Sequence, residues 1–228
     1  MAVKRIIPAL LLLLFLKDSS AQQAPRSQDL PKFMGREITI VDPGQEADGF
    51  EPKGPASVCV EGPPQRQCYT TPRGFGNNPK VAVVQLQKDM SALFFSAGSG
   101  GVSGSLIHFA LLRPGSGNDL QNLFGSDTSV SNQSQQAFWS DSTISEAQIF
   151  VTANYVWGPD EAHYGEHRYI ISAYVRRPSS IVDDLYYYLE DRYMTVRRYD
   201  LDAGADILAS EKQEILARLR RIKSEVKR

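Results

Sequence analysis

Gln148 to Trp157 reads QIFVTANYVW, and Arg168 to Arg176 reads RYIISAYVR. In the first run Ile149, Val151, Ala153, Tyr155 and Trp157 fall on alternate positions, and in the second Tyr169, Ile171, Ala173 and Val175 do the same. Successive side chains of a strand point to opposite faces, so this two-residue period predicts two half-buried strands. Ten residues separate them, GPDEAHYGEH from Gly158 to His167. The unit is therefore expected to be a hairpin with a polar tip at 158–167, closed by Pro178.

The same signal extends upstream. Lys80 to Gln87 (KVAVVQLQ), Ala92 to Ala97 (ALFFSA) and Leu106 to Leu112 (LIHFALL) are apolar runs rich in strand formers. The glycine-rich Gly98 to Ser105 (GSGGVSGS) separates the last two and marks a second hairpin. It lacks the Lys-Ser/Thr of a phosphate-binding loop and no helical pattern follows it. Residues 115–142 are polar and read as long loops with one or two short strands. Downstream, Leu185 to Leu189 (LYYYL) and Tyr193 to Tyr199 (YMTVRRY) read as two strands.

After Tyr199 the period changes. Ile207, Leu208, Ile215, Leu219, Ile222 and Val226 recur at helical spacing. Asp206 or Ser210 can cap its start, and Ser210 with Gln213 fits a capping box. Arg218, Arg220, Arg221, Lys223, Lys227 and Arg228 crowd its end, where cations suit the helix dipole. The apolar stripe is expected to dock on the sheet, with pairing of two copies through this helix or binding to an anionic membrane surface as alternatives.

Upstream of Lys80 the chain is punctuated by proline, with Pro43, Pro52, Pro55, Pro63, Pro64, Pro72 and Pro79 between residues 42 and 79. Proline carries no amide donor, so this stretch is expected to wrap the surface as neither regular helix nor central strand. Cys59 and Cys68 are the two cysteines, separated by a turn-forming Glu61-Gly62-Pro63-Pro64. Their spacing is not C-x-x-C and no second cysteine pair accompanies them, so they read as a disulfide.

Residues 1–21 have the parts of a secretory signal peptide. Lys4 and Arg5 precede an apolar run from Ile6 to Leu16, followed by Ser19-Ser20-Ala21. The run is short of the roughly 20 residues needed to span a bilayer. The chain is thus expected to be exported, to a periplasm or the extracellular medium, with no transmembrane anchor after cleavage. The 25 Lys and Arg against 26 Asp and Glu leave a formal net charge of −1, so no basic field favours nucleic acid.

Taken together, the fold expected is mainly β: an antiparallel β-sandwich or jelly-roll-like domain with a wrapped Pro/Gly-rich N-terminal segment and one C-terminal amphipathic helix. The expected divisions are a signal peptide at 1–21, a flexible or extended arm at 22–57, a β-rich domain at 58–200 and the helix at 206–226.

Candidate chemistry concentrates at the 158–167 tip, which holds His163 and His167 with Asp160, Glu161 and Glu166. A loop can gather two imidazoles and a carboxylate around a divalent metal. Tyr164 follows His163, so the H-E-x-x-H general base is absent, and a solvated charged loop is the plainer reading. Asp200, Asp202, Gly204 and Asp206 with Glu211 have calcium-loop oxygen spacing, but the glycine falls one place early and a strand-like segment precedes it. His108 lies mid-strand and reads as a satisfied core histidine. Tyr186 and Tyr188, which lie beside Asp183, Asp184, Glu190 and Asp191, are candidate contact residues for a sugar or peptide, as are Trp157 and Tyr164 of the second hairpin. The function expected is a non-catalytic exported domain with a binding or structural, envelope-associated role and no required cofactor. A protein or glycan is its expected partner. A metal-dependent enzyme using the hairpin tip and a carbohydrate-binding module using exposed tyrosines are the alternatives.

Overall fold

The computed structural model describes residues 30–101, 105–124, 128–156, 158, 166–177, 186–198 and 206–226. Its first sheet has three strands, β1 (Ile38–Val41), β2 (Ser57–Val60) and β3 (Gln67–Thr70), in the order β1-β2-β3. This corrects the expectation that residues 42–79 exclude a central strand, because β2 is paired on both edges. The reason lies in where the prolines fall. The run SVCV is free of them, while Pro43, Pro52 and Pro55 occupy the β1–β2 connection and Pro63 and Pro64 the β2–β3 turn. Cys59 and Cys68 stand directly opposite one another and form the disulfide, with Cα atoms 4.1 Å apart. Arg36 fastens the same turn, its guanidinium donating to the carbonyl oxygens of Val60, Glu61, Gly62 and Gln65.

The second sheet follows the order β4-β5-β6-β7, from β4 (Phe75–Gln87), β5 (Met90–Ser99), β6 (Leu106–Pro114) and β7 (Leu120–Asn122). Strand β8 (Thr128–Ser131) also pairs with β6. The glycine-rich segment does join a hairpin, β5 to β6, whose last pair is Gly98 with Ile107. Pro79 lies in β4, an edge strand, where the register shifts between Asn77 and Lys80. Both circumstances tolerate a residue without an amide donor.

The third sheet is β12-β11-β10-β9, from β9 (Gln135–Trp139), β10 (Ile149–Val156), β11 (Glu166–Arg176) and β12 (Tyr187–Arg198). Residues 115–142 thus contribute three short strands, β7, β8 and β9. The two tyrosine-rich runs expected as separate strands form one strand, β12. Its register against β11 shifts at Ala173/Tyr174, leaving Glu190 as the extra residue between Leu189 and Asp191. The helix α1 (Ile207–Val226) closes the chain. Asp206 caps it by accepting from the Ala209 amide at 2.9 Å. Ser210 instead lies inside the first turn, donating to the Ile207 carbonyl, so the expected capping box does not form.

The layers stack as three-stranded sheet, five-stranded sheet, four-stranded sheet and helix, a sandwich-like arrangement in which none of the described sheets closes into a barrel. Phe33, Ile38, Val58 and Val60 pack on Leu93, Phe95, Ala110 and Leu112 between the first two sheets. Phe94, Phe109 and Leu111, from the other faces of β5 and β6, pack on Phe138, Phe150 and Tyr174 of the four-stranded sheet. The remaining face of that sheet holds Ile149, Val151, Ala153, Tyr155, Tyr169, Ile171, Ala173 and Val175, which meet Ile207, Leu208, Ile215, Leu216 and Leu219 of α1. The alternating residues of the sequence therefore form the helix-facing side. The off-beat residues Phe150 and Thr152 are buried as well, so β10 is covered on both faces rather than one.

Candidate functional site

One cluster of polar residues lies in the interface between α1 and the four-stranded sheet. In β10 and β11, Tyr155 stands opposite Tyr169, and His167 lies two residues before Tyr169 on the same face. The Tyr155 hydroxyl meets His167 Nδ1 at 2.6 Å, and the Tyr155 ring meets Tyr169 edge-on at 5.5 Å between centroids. One strand further out, Thr195 pairs with Tyr169 and Tyr193 with Ile171. Both turn their hydroxyls to Glu211 of α1, Tyr193 donating to Oε2 at 2.9 Å and Thr195 to Oε1 at 3.2 Å. His167 is 0% exposed and Glu211 3%. A carboxylate at that depth is held by such donors, because burying an unpaired one in its charged form is costly. The cluster thus binds helix to sheet by hydrogen bonds inside an otherwise apolar layer.

Several sequence-predicted residues fall elsewhere. His167 lies within β11, which begins at Glu166 rather than Arg168, and its ring is directed into the interface with Tyr155. Glu166 is exposed at the start of that strand. Trp157, Asp160, Glu161, His163 and Tyr164 lie outside the described residues, so the metal reading of the tip is carried by residues of which nothing structural is stated. Among the described residues, no three His, Cys, Asp or Glu side chains are grouped to hold a metal ion. Asp200, Asp202 and Gly204 are likewise outside the description, while Asp206 caps the helix and Glu211 lies under it.

His108 is buried as expected of a core histidine, its Nε2 2.8 Å from the Tyr69 hydroxyl and its ring stacked on that of Tyr69. The tyrosine run divides by burial. Tyr186 is half-buried and accepts a hydrogen bond from Gln121 at its phenol oxygen. Tyr187 is buried, donates to the Gln148 carbonyl at 2.8 Å, and has its phenol pKa raised by that burial. Tyr188 projects outward, 45% exposed.

Sequence reasoning missed the pairing of Glu211 with Tyr193. Its signal was present: Glu211 is four residues after Ile207 and four before Ile215, within the apolar stripe. A carboxylate in that stripe must meet donors on the docked surface.

Two clefts flank this interface. At the start of α1, a cleft of about 530 Å³ lies against the outer strand β9, with Trp139 on one side and Lys212 over its ring at 5.3 Å. Gln136 Oε1, which lies in the same strand, is buried without a hydrogen-bond partner. At the end of α1, a cleft of about 380 Å³ is floored by apolar side chains and rimmed by basic ones. Along β12, Tyr188, Leu189, Met194 and Val196 are exposed. The chain matches no protein-family model, no curated protein and no solved structure at a significant level. No described helix is long and apolar enough to cross a membrane.

Proposed function

We propose that this chain is an exported, non-catalytic β-domain that binds a protein partner along strand β12. The observation that carries the reading is the outer position of β12 among the described strands of its sheet, combined with its exposed Leu189, Met194 and Val196. An open strand edge presents amides and carbonyls that an added strand can pair, and neighbouring apolar side chains give that addition affinity. Charge selects the partner. The β12 carboxylates Glu190 and Asp191 are engaged by Arg177 and Arg218, whereas Arg192 is exposed beside the apolar residues. An extended segment carrying acidic side chains suits that edge. Export is supported by the leader-like residues 1–21 and by the disulfide, which persists in an oxidising compartment.

A library of displayed peptides, selected on the full secreted chain, tests the binding role. Selected peptides are expected to be acidic and extended, to protect β12 amides from exchange, and to lose binding at least tenfold with Met194→Asp or Val196→Asp. Both positions are exposed, so both variants should fold. Peptides that protect another surface, or that bind these variants unchanged, would refute the assignment. A glycan partner is a second reading, favoured by the exposed ring of Tyr188. Quenching of tyrosine emission by neutral oligosaccharides, abolished in Tyr188→Ala, would select it.

A further inference from the structure

We propose that the cleft beneath the last turns of α1 binds a small amphiphilic anion, a short hydrocarbon chain ending in a carboxylate. The proposal is separate from the partner surface on β12. The cleft encloses about 380 Å³, within the range of roughly 300–1,000 Å³ typical of small-molecule sites. Val175 from β11 and Leu219 and Val226 from α1 give it an apolar lining, and Val226 stands 80% exposed at its mouth. Such a concave apolar surface, left open to water, favours a hydrocarbon occupant.

The rim fixes the other end of the ligand. Among the described residues, Arg177 and Lys223 supply positive charge to the rim, with a single carboxylate, that of Glu190. Glu190 is engaged by Arg177, with Nη2 2.8 Å from Oε2. Lys223 donates to the Ile144 carbonyl at 2.7 Å and still contributes its positive charge. Among the described residues positive charge therefore exceeds negative at a site whose lining is apolar, and a carboxylate head supplies the matching charge. The helix C-terminus carries partial negative charge, so the head belongs on the Arg177 side and the tail along Leu219 and Val226.

The test is calorimetric titration of the full chain with octanoate, 1-octanol and acetate, with amide shifts locating the site. Octanoate is expected to bind at least tenfold more tightly than either comparator and to shift resonances of the α1 C-terminal turns and the end of β11. Val226→Glu, at an exposed position, places a carboxylate at the mouth and should weaken octanoate about tenfold. Lys223→Ala should weaken it by a smaller factor and leave octanol unchanged. Octanoate binding no tighter than octanol would overturn the proposal. So would shifts that map to another surface, or folded Val226→Glu protein that binds octanoate as well as the parent chain.

Discussion

Arg218 of α1 closes a two-bonded fork on Asp191 of β12: Nε donates to Oδ2 at 2.5 Å and Nη2 to Oδ1 at 3.0 Å. The same guanidinium lies 4.4 Å from the centre of the Tyr193 ring. One side chain thus links the helix to an ion-pair partner and to an aromatic face, a geometry that suits the planar arginine head better than lysine.

The pH dependence of that fork follows from its direction. Hydrogen bonding from Arg218 holds the Asp191 carboxyl below the usual range, against the opposing effect of burial, with Arg218 charge adding to the lowering. A depressed folded pKa stabilises the protein above the unfolded carboxylate value of about 3.9, and the contribution is lost as pH falls through the folded value. Asp191→Asn is expected to lower stability at pH 7 by about 1–2 kcal/mol. Urea midpoints measured from pH 7 down to about pH 2 should show the two proteins converging at the acid end. A constant difference across that range would show that the loss is one of packing.

Tyr155→Phe removes the hydroxyl that meets His167 Nδ1 in a buried site. The ring volume is retained, so the change isolates the hydrogen bond. A loss of about 1–2 kcal/mol in denaturant unfolding is expected, since a buried polar atom deprived of its partner bears its desolvation cost. An unchanged midpoint would show that the histidine is satisfied without Tyr155.

What the sequence made legible was local. The alternation in β10 and β11 and the helical stripe ending at Val226 are properties of short consecutive runs, and all three elements form there, β11 beginning two residues earlier than expected. The disulfide was legible because nine positions and a turn bring Cys59 to Cys68. The second buried face of β10 was not, because Phe150 and Thr152 are covered by a sheet formed from distant residues. Proline density misled for a related reason: averaged over 42–79 it excludes a central strand, but the four residues of β2 contain none. At the helix–sheet interface, His167 changed character with a two-residue shift in strand boundary, and its partner Tyr155 is set by cross-strand register rather than by sequence spacing.

Phe150 occupies the middle of that unforeseen layer. Its ring lies within 5.7 Å, centroid to centroid, of Phe94, Phe109, Phe124, Phe138 and Tyr174. Phe150→Ala is expected to cost about 3–5 kcal/mol, because it removes contacts on every side and opens a cavity that β-sheets on both flanks cannot close. Phe150→Leu should retain much of that stability. Thermal unfolding of the two variants would show the ordering, and equal losses would mean that volume at this position is unimportant.

Gly76 provides a sharper test of how the N-terminal segment seats on the five-stranded sheet. A Cβ built at Gly76 would lie 2.1 Å from the Gly54 carbonyl oxygen and 2.8 Å from the rings of Pro43 and Pro52. None of these is the free end of a flexible side chain, so the β1–β2 connection itself must move to admit a methyl group. Its position is fixed from both sides, by the Ala56 amide donating to the Phe75 carbonyl and by Thr71 bridging the same two residues. Gly76→Ala is therefore expected to destabilise the protein by about 1–3 kcal/mol. Hydrogen exchange should show the opening concentrated in β1, β2 and the start of β4, with β10 and β11 keeping their protection. Gly49 is the control, since nothing lies within 4 Å of a Cβ there and its φ of +75° alone resists substitution. If Gly76→Ala and Gly49→Ala lose stability equally and locally, the proline-rich connection packs less tightly on β4 than these distances require.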